Sequence, residues 1–283
     1  HSILPLICKQ LLSVSDKSVV PDSVRDTLTT VLIKSAAIHT HMKHELQVFS
    51  DLCFSNNIGF LLIKGFAVDK SPLRQMNDID VLVDKKDIDT IFKLLESNGY
   101  TYVGSNVLSK KELKNPETQY KWNNQFQFKV PHSDLTIEVH TNLFEHDRIR
   151  LENLKGLLDN VELFFKNPIW DPELKSYIPQ KEASLALLCV HSATKRSPSG
   201  NTFIIRHVYD IERLLATGID SDRFINLCHQ FEINYFAHFS LCVTAHILHS
   251  KQAKELSAII EKKLQVPERL LSRVHLRCYK CLG

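Results

Sequence analysis

Leu61-Leu62-Ile63-Lys64-Gly65 is followed, after a short gap, by Arg74-Gln75-Met76-Asn77-Asp78-Ile79-Asp80-Val81-Leu82-Val83. The second stretch sets two carboxylates two residues apart inside an aliphatic, β-branched run. Strand side chains alternate between faces, so Asp78 and Asp80 share one face while Ile79 and Val81 share the other. Unpaired carboxylates on an apolar strand are expensive to bury. A divalent cation removes that expense, because Mg²⁺ takes hard oxygen ligands and binds through one or two carboxylates plus substrate phosphates. The stretch therefore reads as half of a metal site for a phosphate-bearing substrate. The alternative is a polar strand end that caps the next helix.

The other half is expected on a neighbouring strand. Gln125-Phe126-Gln127-Phe128-Lys129-Val130 and Leu135-Thr136-Ile137-Glu138-Val139-His140 flank the turn formers Pro131-His132-Ser133-Asp134, which is a hairpin pattern. Thr136, Glu138 and His140 share one face of the second strand; Leu135, Ile137 and Val139 share the core face. Glu138 is thus placed to complete a three-carboxylate cluster with Asp78 and Asp80, with His140 beside it at the strand end. His140 reads equally well as a catalytic group and as a histidine hydrogen-bonded at a strand terminus.

The rest of the chain predicts helices, then a small α/β core, then helices. Residues 2–13 and 22 to about 56 carry helical periodicity, with Leu28, Leu32, Ala36, Met42, Leu46, Phe49 and Cys53 as an apolar stripe. Strands are expected at 60–63, 78–83 and from Tyr100 to Val103. A helix capped by Asp84 is expected at 86–97, and the 125–140 hairpin is expected to close the sheet. A polar loop is read over 104–120. Helices follow at 149–158, 181–195, 203–217, 221–231, 234–249 and 251–274. The expected domains are N-terminal helices over 1–55, an α/β core over 56–148 and a helical domain over 149–283, with the active cleft between core and helical domain.

Composition narrows the function classes. The net charge of +3 is too small, and the basic residues too dispersed, to argue for a nucleic-acid surface. No run of about 18 apolar residues is present, so no membrane span is expected. The opening residues lack the basic region and small-residue cleavage site of a signal peptide. Seven cysteines without framework spacing suit a reducing compartment, and a cytoplasmic protein is expected. Cys278-Tyr279-Lys280-Cys281 lacks the further ligands that a zinc site needs.

The pattern Lys64-Gly65, Arg74, Asp78-Ile79-Asp80 and Glu138-Val139-His140 resembles the DNA polymerase beta-type nucleotidyltransferase superfamily. More narrowly, it resembles the bacterial uncharacterised nucleotidyltransferase family, with motifs of the form L-K-G, R-x-x-D-x-D-h-h-V and E/D-h-H. Gly65 and Asp78 are 13 residues apart, which suits the superfamily spacing. His191-Ser192-Ala193-Thr194-Lys195 and Arg206-His207-Val208-Tyr209-Asp210 resemble the family's helical motifs, so the likeness spans roughly residues 45–250. One departure stands out: superfamily members with established transferase activity usually carry Gly-Gly or Gly-Ser where this chain has Lys64-Gly65. Gly65 can still let the backbone approach a phosphate, and Lys64 and Arg74 can supply positive charge there.

The resemblance implies an α/β (α+β) protein with a small mixed-sheet nucleotidyltransferase core, flanked by N-terminal helices and followed by helices. It implies Mg²⁺-dependent transfer of a nucleoside monophosphate from a nucleoside triphosphate to an acceptor hydroxyl or phosphate. Asp78, Asp80 and Glu138 would hold Mg²⁺, with Mn²⁺ as its substitute, in two-metal catalysis. Lys64, Gly65, Arg74, His140, His191, Lys195, Arg206 and Asp210 would bind nucleotide; for Arg206 and Asp210 a simple i, i+4 surface pair is the alternative. A small molecule, peptide or protein is favoured as acceptor over a long nucleic acid, since no aromatic stripe or basic groove is evident. Two other functions stay open: a related group transfer that tailors a peptide or natural product, and a nucleotide-binding regulator without turnover.

Overall fold

The computed structural model describes residues 3–14, 20–104, 125–143, 166–194 and 205–265. The chain divides into two compact units, one of residues 1–141 with 169–178, the other of 142–168 with 179–283. The first opens with helices α1 (Leu4–Leu12) and α2 (Asp22–Ser55). Strands β1 (Phe60–Leu62) and β2 (Asp78–Val83), helix α3 (Ile88–Ser97), and strands β3 (Thr101–Gly104), β4 (Gln125–Lys129) and β5 (Thr136–His140) follow. A short hairpin of β6 (Ile169–Asp171) and β7 (Ser176–Ile178) ends the unit.

The seven strands form one mixed sheet in the order β3-β4-β5-β2-β1-β7-β6. Strand β2 runs antiparallel to β1 and parallel to β5. Its alternation decides what each face does. Ile79, Val81 and Val83 point into a core shared with Phe60, Leu62, Phe126, Phe128, Ile137 and Val139. Met42, Leu46, Phe49 and Cys53 of α2 and Ile88, Ile91 and Leu95 of α3 cover that face. Each such side chain contributes roughly 1.5–3 kcal/mol by leaving water, and together they fix which way β2 faces. The register is thereby set, because a one-residue slip would turn the aspartates into the core.

The sequence-based elements recur with shifted ends. The helix after β2 begins as a single 3₁₀ turn, Lys85–Asp87, with the Asp84 carboxylate accepting from the Lys86 amide at 3.0 Å. The expected stripe on α2 is buried only from Met42 onward; Ala36 is exposed and Ser35 is buried in its place. The 125–140 hairpin does not close the sheet: β3 adds a strand beyond it, and β7 and β6 extend the opposite edge. Strands β6 and β7, three residues each, are too short to show a period in sequence. Their turn is tied down by Lys70, 2.5 Å from Asp171, and by Lys43, 2.7 Å from Glu173.

The second unit contains α4 (Lys181–Thr194), α5 (Ile205–Ala216), α6 (Ser221–Gln230), α7 (Asn234–Leu248) and α8 (Lys251–Glu261). Helix α7 packs against the other four and is accordingly buried along most of its length. Asp220 and Ser250 cap α6 and α8 by accepting backbone N–H bonds. The helix expected over 251–274 stops at Glu261, and residues 262–265 leave the helix. The expected helix 149–158, most of the polar loop 104–120, residues 266–274 and the C-terminal cysteine pair lie outside the described residues. No helix among the described residues is long and apolar enough to cross a membrane.

The link from β1 to β2 turns at Gly65, which holds φ +58° and carries the start of a 3₁₀ turn, Gly65–Ala67. A Cβ there would stand 3.1 Å from Met76 Sδ. Non-glycine residues in this backbone region are strained, so Gly65→Ala is expected to lower unfolding free energy by about 1–3 kcal/mol. Urea denaturation of both proteins measures this, and equal midpoints would contradict the strain.

Candidate active site

Asp80 and Glu138 are register partners across the parallel β2–β5 pair, and Asp78 pairs with Thr136 two residues earlier. Parity within each strand and pairing between them therefore bring the carboxylates to one face. Asp80, Glu138 and His140 each place a potential metal-ligating atom within 4.8 Å of the others; among the described residues this is the group of three that comes together. Asp78 stands outside that tightest group, but its charge acts on Glu138, Lys64 and His140.

Asp80 is nearly enclosed, at 7% exposure. Its Oδ1 lies 2.7 Å from Lys64 Nζ and 2.9 Å from His140 Nε2. Burial alone would raise this carboxyl, but the Lys64 charge and the His140 bond outweigh it and hold it well below the usual carboxylate range. Lys64 mirrors this: burial opposes its charge, yet Asp80 holds the ammonium above its ordinary value. Burial and the Lys64 charge pull His140 below its ordinary value despite Asp80. The imidazole is thus neutral near pH 7, and its Nε2–H donates to Asp80.

Glu138 behaves differently. Burial, then the charges of Asp80 and Asp78, push its carboxyl up to about 7 against the pull of Lys64 and Gln127. Gln125 donates to its Oε2, and Gln127 donates to its Oε1 at 2.7 Å. The two glutamines come from β4, opposite His140 and Glu138 respectively. They were not singled out from sequence, although the alternation Gln125-Phe126-Gln127-Phe128 already put both amides on the face opposite the phenylalanines.

The donor set fits a hard divalent cation. Burial, and then the neighbouring charges of Asp80 and Asp78, favour the protonated form of Glu138, and a divalent cation would relieve the second of these. Of the other residues picked out by sequence, Arg74 is buried, with one guanidinium nitrogen 3.9 Å from where a Cβ on Gly65 would stand. It therefore packs against the Lys64-Gly65 turn. His191 lies on α4, its ring 4.8 Å from that of His207, while Arg206 and the buried Asp210 lie on α5. Lys195 and the loop at 197–201 fall outside the described residues.

Residues 1–249 match the family described as uncharacterised nucleotidyltransferase. Two solved structures are similar at low identity. The lincosamide antibiotic adenylyltransferase LnuA, with lincomycin bound, is 18% identical over 61% of this chain and 96% of its own, at a TM-score of 0.38. The antibiotic-resistance factor ANT(2'')-Ia is 13% identical over 80% of this chain and 100% of its own, at a TM-score of 0.40. No curated protein matches the chain.

The state of Glu138 leaves a mark on stability. A carboxyl with a raised folded-state pKa holds its proton more tightly when folded. Ionising it destabilises the fold as pH rises from about 4.5, and the loss is complete above about 7. Glu138→Gln cannot ionise. Without divalent cation, the variant is expected to gain on the wild type between pH 5 and pH 8 by on the order of 2–3 kcal/mol. Urea denaturation at both pH values tests this; a difference independent of pH would contradict the raised carboxyl.

Proposed function

The chain belongs to the uncharacterised nucleotidyltransferase family, and we propose that it transfers a nucleoside monophosphate from a nucleoside triphosphate to an acceptor hydroxyl or phosphate. The observation that carries this is the Asp80–Glu138 pairing across β2 and β5, with Asp78 on the same face. In the reaction the acceptor oxygen bonds to the α-phosphorus, the α–β phosphoanhydride bond breaks, and pyrophosphate leaves.

Asp78, Asp80 and Glu138 would hold Mg²⁺ or Mn²⁺, and the bound cations would supply charge neutralisation on the reacting phosphoryl oxygens in a two-metal arrangement. Glu138 is also proposed as the base that takes the acceptor's proton. His140 orients Asp80 through Nε2. Gln125 and Gln127 fix the Glu138 carboxylate, so that it points at the acidic face without a rotamer search. The Lys64-Gly65 turn, with Arg74 packed against it, would meet the triphosphate. His191, Lys195, Arg206 and Asp210 are proposed as further nucleotide contacts on the family likeness of their motifs. The acceptor we favour is a small molecule, peptide or protein hydroxyl, and the setting the cytoplasm.

The Lys64–Asp80 ion pair favours one second reading, a nucleotide-binding regulator whose acidic centre stays closed to metal. Turnover separates the two. Labelled triphosphates with Mg²⁺, a broad acceptor panel and mass spectrometry of the products should reveal a nucleotidylated acceptor. Glu138→Gln is expected to keep nucleotide binding and to lose about a hundredfold or more in single-turnover transfer. Asp80→Asn should lose metal-dependent nucleotide binding itself. Binding without transfer across the panel would favour the regulator; normal transfer by Glu138→Gln would remove Glu138 from the chemistry.

A further inference from the structure

A lysine that serves only to grip phosphate has no reason to turn inward, yet the Lys64 side chain is 14% exposed and its ammonium sits on Asp80 Oδ1 at 2.7 Å. The same oxygen receives His140 Nε2 at 2.9 Å. A carboxylate oxygen offers two lone-pair directions, so both directions on Oδ1 are in use, one of them by a cation belonging to the chain. Glu138 has each of its oxygens engaged by a glutamine amide. An incoming divalent ion thus meets a centre already partly neutralised, and it meets a positive charge at close range.

The backbone under Lys64 gives that charge no means of retreat. The Ile63 amide donates to the Asp80 carbonyl at 3.1 Å, and Gly65 is locked at φ +58° over Met76 and Arg74. The α-carbon of Lys64 is therefore fixed to β2. Its four-carbon stem is the flexible part, and three donors at the tip can change partner without disturbing the sheet.

We propose that Lys64 is an internal counter-cation, which occupies Asp80 until a divalent ion displaces it and which then passes to the phosphates of the arriving nucleotide. This rests on the metal-dependent transfer reading. Metal alone has to evict an ammonium that gains no new partner, whereas metal arriving with a triphosphate offers it a charge-assisted bond. Metal and nucleotide are then positively coupled, and the coupling acts equally in both directions. Asp80 is thereby guarded against adventitious cations until a nucleotide is present.

The test is Mn²⁺ binding to the full chain, followed by the electron paramagnetic resonance signal of the free ion, for wild type and Lys64→Met. Methionine keeps much of the stem and removes the charge. The variant is expected to bind Mn²⁺ alone roughly tenfold or more tightly, since the repulsion and the competing bond are gone. The extra Mn²⁺ affinity conferred by a non-hydrolysable nucleoside triphosphate should shrink correspondingly. Equal or weaker Mn²⁺ binding by a folded Lys64→Met protein overturns the counter-cation role alone. No Mn²⁺ binding by either protein overturns the metal-dependent transfer reading together with it. A measurement on the wild type stands even where the variant does not fold: amine acylation mapped by mass spectrometry. Saturating Mg²⁺ should make Lys64 more reactive while exposed lysines such as Lys93 stay constant. Unchanged or reduced Lys64 reactivity overturns the displacement.

Discussion

The carboxylate of Asp80 lies between an ammonium and an imidazole, and the acidic face of the sheet depends on that contact. Without Lys64 and His140, three carboxylates would crowd one end of a parallel strand pair with little water to screen them. Losing one partner of a buried ion pair leaves an uncompensated charge, which typically costs 3–5 kcal/mol. With both partners present, Asp80 stays ionised and the excess negative charge is relieved at Glu138, whose proton is retained to about pH 7. Two carboxyls on one face thus hold different protonation states, because Asp80 has cationic company while burial and the charges of Asp80 and Asp78 outweigh the amide bonds at Glu138.

That division is built by the sheet. The Ile79, Val81 and Val83 side chains anchor β2 in the core, so the alternate positions cannot turn away from the acidic face. Parallel pairing with β5 then sets Asp80 level with Glu138, and antiparallel pairing of β4 sets Gln127 level with Glu138 and Gln125 level with His140. The Gly65 turn delivers Lys64 from the neighbouring strand. Each site residue is held by an element whose other face is packed. Preorganisation of this kind is what positioning catalysis requires.

Parity along β2 and β5 was legible in the sequence, since alternation needs only local pattern. The β4–β5 hairpin was legible too, from its turn formers, but the register that sets Asp80 level with Glu138 was not, because it comes from a parallel pairing between segments some 60 residues apart. The glutamines of β4 were visible as an alternation but not as site residues, because amides attract notice only when a partner carboxylate is known. The inward turn of Lys64 was hidden for the same reason; the motif suggested phosphate, while burial gave it Asp80. Strands β6 and β7 escaped because three residues cannot express a period of two. In the helical unit, apolar spacing gave the helices away. The nucleotide roles of His191, Lys195, Arg206 and Asp210 rest on family likeness and not on any contact with the acidic face.

The central claim is that the face shared by β2 and β5 receives a metal–nucleotide complex. Anomalous diffraction from crystals of the full chain grown with Mn²⁺ and a non-hydrolysable nucleoside triphosphate tests it most directly. The account predicts an anomalous peak ligated by the carboxylates of Asp80 and Glu138, with the triphosphate beside the Lys64-Gly65 turn. Nucleotide bound elsewhere, or bound with the Mn²⁺ peak away from both carboxylates, would contradict it.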